Sequence, residues 1–222
     1  MLSVVVPTLD ERPRIRGLVQ SLLREVDEVV VSDGGSTDGT IEVARSAGAR
    51  VVRGPAGRGP QLDRGAAAAR GDLLWFLHAD VGVPRGLGGG VRRAAEGAAW
   101  GGCEARIDSA DLRLRWTAFV MTRRARLTGS MTGDMGIWAR RSLFERVGGF
   151  GSLSALEDLA FSDRARRAAP WALVGPPLGT SARRWTSEGV NRTMVRMLAL
   201  RLAYRMGVPP DRLARRYRSA PR

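Results

Sequence analysis

Four short apolar and β-branched runs in the first 80 residues constrain this chain more than any other feature. They are Leu2–Val6, Glu28–Val31, Arg50–Arg53 and Leu73–Leu77. Each is too short for a helix and closes on turn-forming or polar residues, so each reads as a strand. The stretches between them have helical character. Pro13–Glu25 places Ile15, Leu18, Val19, Leu22 and Leu23 at helical spacing, Thr40–Ala47 forms a short helix, and Leu62–Arg70 is alanine-rich. Strand and helix in alternation predict an α/β fold with a mostly parallel central sheet flanked by helices. Ligands of such sheets bind beyond the carboxyl ends of the strands. Polar clusters fall at those ends: Thr8–Glu11, Ser32–Asp38 and His78–Asp80. Three acidic clusters on one rim predict a site.

The second half is less regular. Gly86–Gly90 reads as a flexible stretch, Trp100–Ile107 as a strand, and Leu112–Leu127 as a helix with arginine on one face. Gly133–Arg140 reads as another strand and Ser142–Val147 as a short helix. Glu157–Ala168 reads as a helix whose acidic first turn suits the positive helix N-terminus. A soft boundary near residue 180 separates the body from a basic helical extension over 181–222.

Composition narrows the chemistry. One cysteine (Cys103) and one histidine (His78) in 222 residues exclude disulfide scaffolds, zinc fingers and multi-histidine metal sites. All 36 basic residues are arginine, against 22 acids, for a net charge of +14. That charge attracts phosphate, whether on nucleotides, nucleic acids or lipids. It is concentrated at the end: Arg183–Arg222 holds eleven arginines and two acids, Glu188 and Asp211. The start has no basic leader and its apolar run stops at Pro7, while arginine interrupts the other apolar runs short of a membrane span. A cytoplasmic protein is expected, with contact at the inner membrane surface left open by the basic tail.

Individual residues carry a functional and a plainer reading. Asp33, before two glycines, either accepts an imide N–H from a base or shapes a turn. His78 and Asp80 leave a strand on alternate positions, which predicts one shared side. There Asp80 either binds a hard cation together with phosphate oxygens and water, or caps a helix. Of Glu157 and Asp158, one carboxylate can face the cleft and take a proton from an acceptor hydroxyl, or both simply compensate the helix dipole. Arg183, Arg184 and Trp185 combine phosphate-binding forks with a sugar platform, or form a basic face with one buried indole.

The runs VVVPTLDE, VSDGGSTDGT, FLHAD, GDMGIWARRSLFERVGGF, LEDL and ARRW occur in one order. Together they resemble the inverting family 2 glycosyltransferases, and among these the small bacterial arsenosugar-biosynthesis-type subgroup, from Ser3 to about Tyr217. The resemblance implies a GT-A fold over 1–180, with a nucleotide-binding half over about 1–80 and an acceptor half over about 81–180, a nucleotide-diphosphate-sugar donor and Mg²⁺ or Mn²⁺. It implies that Pro7, Thr8 and Asp10 or Glu11 hold the nucleoside, that Asp33 contacts the base, and that Arg58 and Asp63 sit among the nucleotide contacts. Asp80 matches the last acid of a D-x-D motif whose first position is His78, and Asp158 matches the catalytic base of an E-D motif that opens on Glu157. Gly133 and Asp134 are implied near the acceptor. Arg184 and Trp185 match the end of a Q-x-x-R-W pattern, but Ser181 replaces its glutamine, which speaks against a processive polymerase.

The expected reaction is metal-dependent transfer of a sugar, UDP-linked by family frequency, to an acceptor hydroxyl, with Asp80 and Asp158 converging on one cavity. The weighed alternatives are a non-catalytic module for nucleic acid or lipid and a sugar-phosphate nucleotidyltransferase. The acidic rim repels a nucleic acid backbone, and PTLDERPR lacks the nucleotidyltransferase's glycine-rich, lysine-bearing loop. In the tail, Val195, Leu198, Leu202 and Met206 form one apolar stripe. Met197, Leu200 and Tyr204 form another, with Arg192, Arg196, Arg201 and Arg205 between them. One stripe is expected on the core. The other takes a second subunit or an anionic membrane surface, or is buried within the chain.

Overall fold

The computed structural model describes residues 1–153, 155–209 and 212–213. The remainder of the expected 181–222 extension and the side chain of Arg184 lie outside the described residues.

The first half follows the expected alternation. β1 (Leu2–Thr8), α1 (Arg12–Leu22), β2 (Glu28–Asp33), α2 (Thr40–Ser46), β3 (Arg50–Arg53), α3 (Arg58–Ala68) and β4 (Leu73–Phe76) succeed one another. A two-residue β5 (Val81–Gly82) leads to α4 (Leu87–Gly97), β6 (Trp100–Asp108) and α5 (Leu112–Thr128). Then come β7 (Trp138–Arg140), α6 (Arg141–Arg146), α7 (Glu157–Ala168), β8 (Trp171–Ser181), α8 (Arg183–Glu188) and α9 (Val190–Arg205).

One sheet runs in the order β3-β2-β1-β4-β7-β6-β8-β5. The first four strands in that order are parallel, and β7 reverses direction against both β4 and β6. Because helices cover both faces, successive residues of a central strand are buried on opposite sides. Val4 and Val6 join Trp75, Leu77, Ile15 and Leu87 in one core. Val5, Leu74 and Phe76 join Leu62, Phe144, Phe150 and Phe161 in the other. Phe76 anchors that second core, with ring centroids 5.0 Å from Phe144 and 4.8 Å from Phe150.

Three expectations for the second half are corrected. Gly86–Gly90 is not a flexible stretch: most of it opens α4, whose glycines permit close approach. A Cβ on Gly88 would lie 2.2 Å from the Glu25 carbonyl oxygen, and one on Gly90 2.7 Å from Val174. Gly133–Arg140 is not one strand: a single 3₁₀ turn at Gly133–Met135 precedes the short β7. The eleven-residue β8 was not expected at all, since Pro176 and Pro177 break its pattern. The register against β6 steps from Cys103↔Val174 to Ala105↔Leu178. The prolines therefore sit in a bulge, where no ladder N–H is required.

Candidate active site

Strands β2, β1 and β4 are neighbours and parallel, so the three polar clusters do share a rim. Most of its carboxylates brace loops. Asp33 is fully buried; Oδ1 accepts the amides of Gly35 (2.8 Å) and Ser36 (2.9 Å), and Oδ2 accepts the hydroxyls of Thr8 and Ser36. Burial pushes its pKa up, but these hydrogen bonds outweigh burial and hold it below the usual carboxylate range. Asp33 is thus the keystone of its loop, the turn-forming alternative. Asp10, at φ 54°, accepts the Thr37 amide on its carboxylate (2.9 Å), and its own backbone N–H donates to the Ser36 hydroxyl oxygen (2.9 Å). Glu11 pairs with Arg14 (3.1 Å) and lies 3.9 Å from Arg183, which brings α8 to the rim. Pro7 is half-buried within β1.

Sequence reasoning missed Gln61. Its Nε2 donates to the carbonyls of Thr8 and Ser32 (both 2.9 Å), and its Oε1 accepts the Gly57 amide (3.0 Å). One buried side chain therefore ties the ends of β1 and β2 to the loop before α3. Its signal was a glutamine beside Leu62 on the buried side of α3.

Asp158 and Glu157 open α7. The non-glycine Leu156 turns the chain there at φ 62°, a strained conformation that tends to persist where the position of the next residues matters. Asp158 Oδ2 accepts the Gly133 amide at 2.8 Å and Oδ1 accepts the Leu159 amide at 2.8 Å. Asp158, Glu157, Gly133 and His78 line one small hollow with Phe76 and Phe150, with room of about 10 Å³, enough for a hydroxyl or a single water. Glu157 is 1% exposed; its Oε1 lies 3.5 Å from Arg58 Nη1, and its Oε2 has no hydrogen-bond partner. Burial, and next the charge of Asp158, push the Glu157 carboxyl up to about 7 against the pull of Arg58. The charges of Glu157, Asp158 and Asp134 outweigh burial at Arg58 and hold its proton more tightly. Arg58, Glu157, Asp158, Gly133 and Asp134 are therefore one cluster, which sets Arg58, expected among the nucleotide contacts, beside the E-D carboxylates.

Two expected members sit elsewhere. Asp63 gives both carboxylate oxygens to the amides of Phe150 and Gly151 (2.8 Å each), and burial raises its pKa despite them; it clamps a loop. Trp185 packs against the second core, the buried-indole alternative.

Asp80 does not share the side of His78. The strand ends at Phe76 and residues 79–80 form a turn, so the alternation no longer applies. Asp80 instead lines an open hollow of about 370 Å³ with Arg14, Gly17, Leu18, Ser21 and Gly82. Asp80 and Asp158 thus line two hollows rather than the single cavity expected. Arg14 is a second residue that sequence reasoning missed, a guanidinium beside the only carboxylate of that hollow. Among the described residues, no group of three His, Cys, Asp or Glu is placed to hold a metal. A cation here takes one protein carboxylate at most, which suits a hard divalent ion whose other ligands are phosphate oxygens and water.

The fold has counterparts in known proteins. Over 93 residues the chain is 42% identical to a glucosyl-3-phosphoglycerate synthase of Mycolicibacterium paratuberculosis, a match spanning 36% of this chain and 28% of that relative. The structure of glucosyl-3-phosphoglycerate synthase from Mycobacterium tuberculosis with Mn²⁺, UDP and phosphoglyceric acid superposes with a TM-score of 0.61 at 25% identity. That match covers 94% of this chain and 79% of that one. S. aureus TarS 1-349 shares the fold, with a TM-score of 0.66 at 18% identity over 91% of this chain and 65% of that one. The glycosyl transferase family 2 profile matches residues 3–148, and the α/β sheet with its flanking helices matches these GT-A relatives. The chain belongs to glycosyl transferase family 2.

Proposed function

We propose that this chain transfers a sugar from a nucleotide-diphosphate donor to an acceptor hydroxyl in one inverting displacement. The observation that carries this reading is Asp158, a half-buried carboxylate fixed by the Gly133 amide in a hollow the size of a hydroxyl. The acceptor O–H gives its proton to Asp158 as its oxygen bonds to the anomeric carbon, and the bond from that carbon to the diphosphate oxygen breaks. Glu157 is turned to Arg58 (3.5 Å) while Asp158 is held by the Gly133 amide, so Asp158 is the one of the pair placed to take that proton.

On this reading the β1–β2 rim, Pro7, Thr8 and the loops braced by Asp10 and Asp33 form the floor for the nucleoside, within a nucleotide half over about residues 1–80. Residues 81–180 supply the acceptor side. Asp80, with the Arg14 guanidinium lining the same hollow, would hold Mg²⁺ or Mn²⁺ against the diphosphate. When bound, such a cation offsets the charge that builds on the departing diphosphate. UDP is the first candidate nucleotide, since the M. tuberculosis relative is seen with Mn²⁺ and UDP. Placement in the arsenosugar-biosynthesis-type subgroup rests on the order of the six motifs, with which the His78-Ala79-Asp80 form of the D-x-D motif is compatible, and a cytoplasmic location is part of the same proposal. Arg184, by its match to the Q-x-x-R-W pattern, is proposed to add a second positive contact to the diphosphate, while Trp185 serves the core.

The test is a thermal-shift panel of UDP-, GDP- and dTDP-sugars with Mn²⁺, followed by release of nucleoside diphosphate with 3-phosphoglycerate as a trial acceptor. Stabilisation by one nucleotide class, with release in its presence, is expected. Absence of both with every donor overturns the proposal.

A further inference from the structure

Helix α5 has two apolar stripes on opposite sides. Leu114, Ala118, Met121 and Ala125 are buried against the core. Opposite them Leu112, Trp116, Phe119, Val120 and Leu127 face solvent, with Trp116 63% exposed and its ring 5.3 Å from that of Phe119. At 100° per residue, Arg113 and Arg124 border this stripe on one side and Arg115 and Arg126 on the other, with Arg123 inside it. Helix α9 repeats the arrangement. Thr193 and Leu200 are buried, while Val195, Leu198, Leu202 and Met206 are exposed, as the tail's periodicity predicts. Arg192 and Arg196 border that stripe on one side and Arg201 and Arg205 on the other.

The two helices are neighbours at their starts, where Arg113 Nη1 donates to Asn191 Oδ1 at 3.0 Å. Neither helix contains an acid. Arg113, Arg126 and Arg196 find acids elsewhere, in Asp111, Glu104 and Glu188. The five others outside the Asp158 neighbourhood, Arg115, Arg123, Arg192, Arg201 and Arg205, form no ion pair among the described residues.

We infer that α5 and α9 together dock this protein on an anionic lipid surface. Apolar and aromatic side chains bordered by arginine enter the headgroup boundary while the guanidiniums meet lipid phosphate. Charge decides against a second copy of the chain on this face. Two such faces would set arginine against arginine, with no acid on either helix to offset them. No helix of the described residues is long and apolar enough to cross the bilayer, so the contact is peripheral. The inference does not depend on the transferase reading.

The test is co-sedimentation of the full chain with vesicles of phosphatidylcholine alone or mixed with phosphatidylglycerol. Binding is expected only to the anionic vesicles, weakening as salt is raised. Trp116→Ser with Phe119→Ser, and separately Arg115→Glu with Arg123→Glu, should each weaken it by about tenfold or more with unchanged circular dichroism. Three outcomes overturn the inference: no binding at low salt, equal binding of the well-folded Trp116/Phe119 variant, or a solution dimer that this variant dissociates.

Discussion

The Gly133 amide donates to Asp158 Oδ2 at 2.8 Å, while the place where a Gly133 side chain would begin lies 2.2 Å from His78 Nε2. One backbone position thus fixes the carboxylate and leaves room for the imidazole beside it. Gly133→Ala must displace His78 or pull the amide from Asp158. Transfer should fall about 10²-fold, as a 1 Å misplacement does elsewhere, with a smaller loss of stability. Steady-state rates and a denaturant melt on the same protein separate the two; a fully active Gly133→Ala shows the contact to be irrelevant.

Asp158→Asn keeps the size of the side chain and its hydrogen bond to Gly133 but removes the proton acceptor. Turnover should drop by about 10²–10⁴-fold while donor affinity persists. Calorimetric donor titration beside the rate measurement checks this, and joint loss of both marks Asp158 as structural. In the same titration, Asp80→Ala should abolish the difference between donor affinity with Mn²⁺ and without it.

Glu157 sets a pH dependence of stability whose sign is unusual for a carboxylate. Its pKa rises from 4.5 to about 7 on folding, through burial and the neighbouring Asp158. The folded state therefore binds the extra proton, and this group's contribution to stability declines as pH rises from about 4.5 through 7. The span is on the order of 3 kcal/mol, at 1.4 kcal/mol per unit. Urea melts from pH 5 to 8 should show a flatter profile for Glu157→Gln than for the parent, and parallel profiles would refute the assignment.

Asp63 should behave as a structural residue. Asp63→Ala strands the amides of Phe150 and Gly151, costing about 2–6 kcal/mol at 1–3 kcal/mol for each unsatisfied group. Chemical denaturation measures this. If stability is unchanged and donor affinity falls, the nucleotide-contact reading is restored.

How much was legible in advance follows from range. The first four parallel strands and their polar rim were readable because each strand carries its own apolar run and its own turn cluster. The pairing of Arg58 with Glu157 was not, since the two are 99 positions apart and only folding brings them within 3.5 Å; family likeness alone put them in one site. Alternation failed for His78 and Asp80 because the chain leaves the sheet before reaching them. Pro176 and Pro177 hid β8, whose bulge against Glu104 depends on a partner strand that no local pattern reveals.

The crosslink made by Gln61 has a consequence for how such a scaffold diversifies. It joins the ends of β1 and β2 to the loop before α3 through two carbonyls and one amide. Position 61 consequently tolerates little change, because a substitution there strands three backbone groups in three separate segments at once.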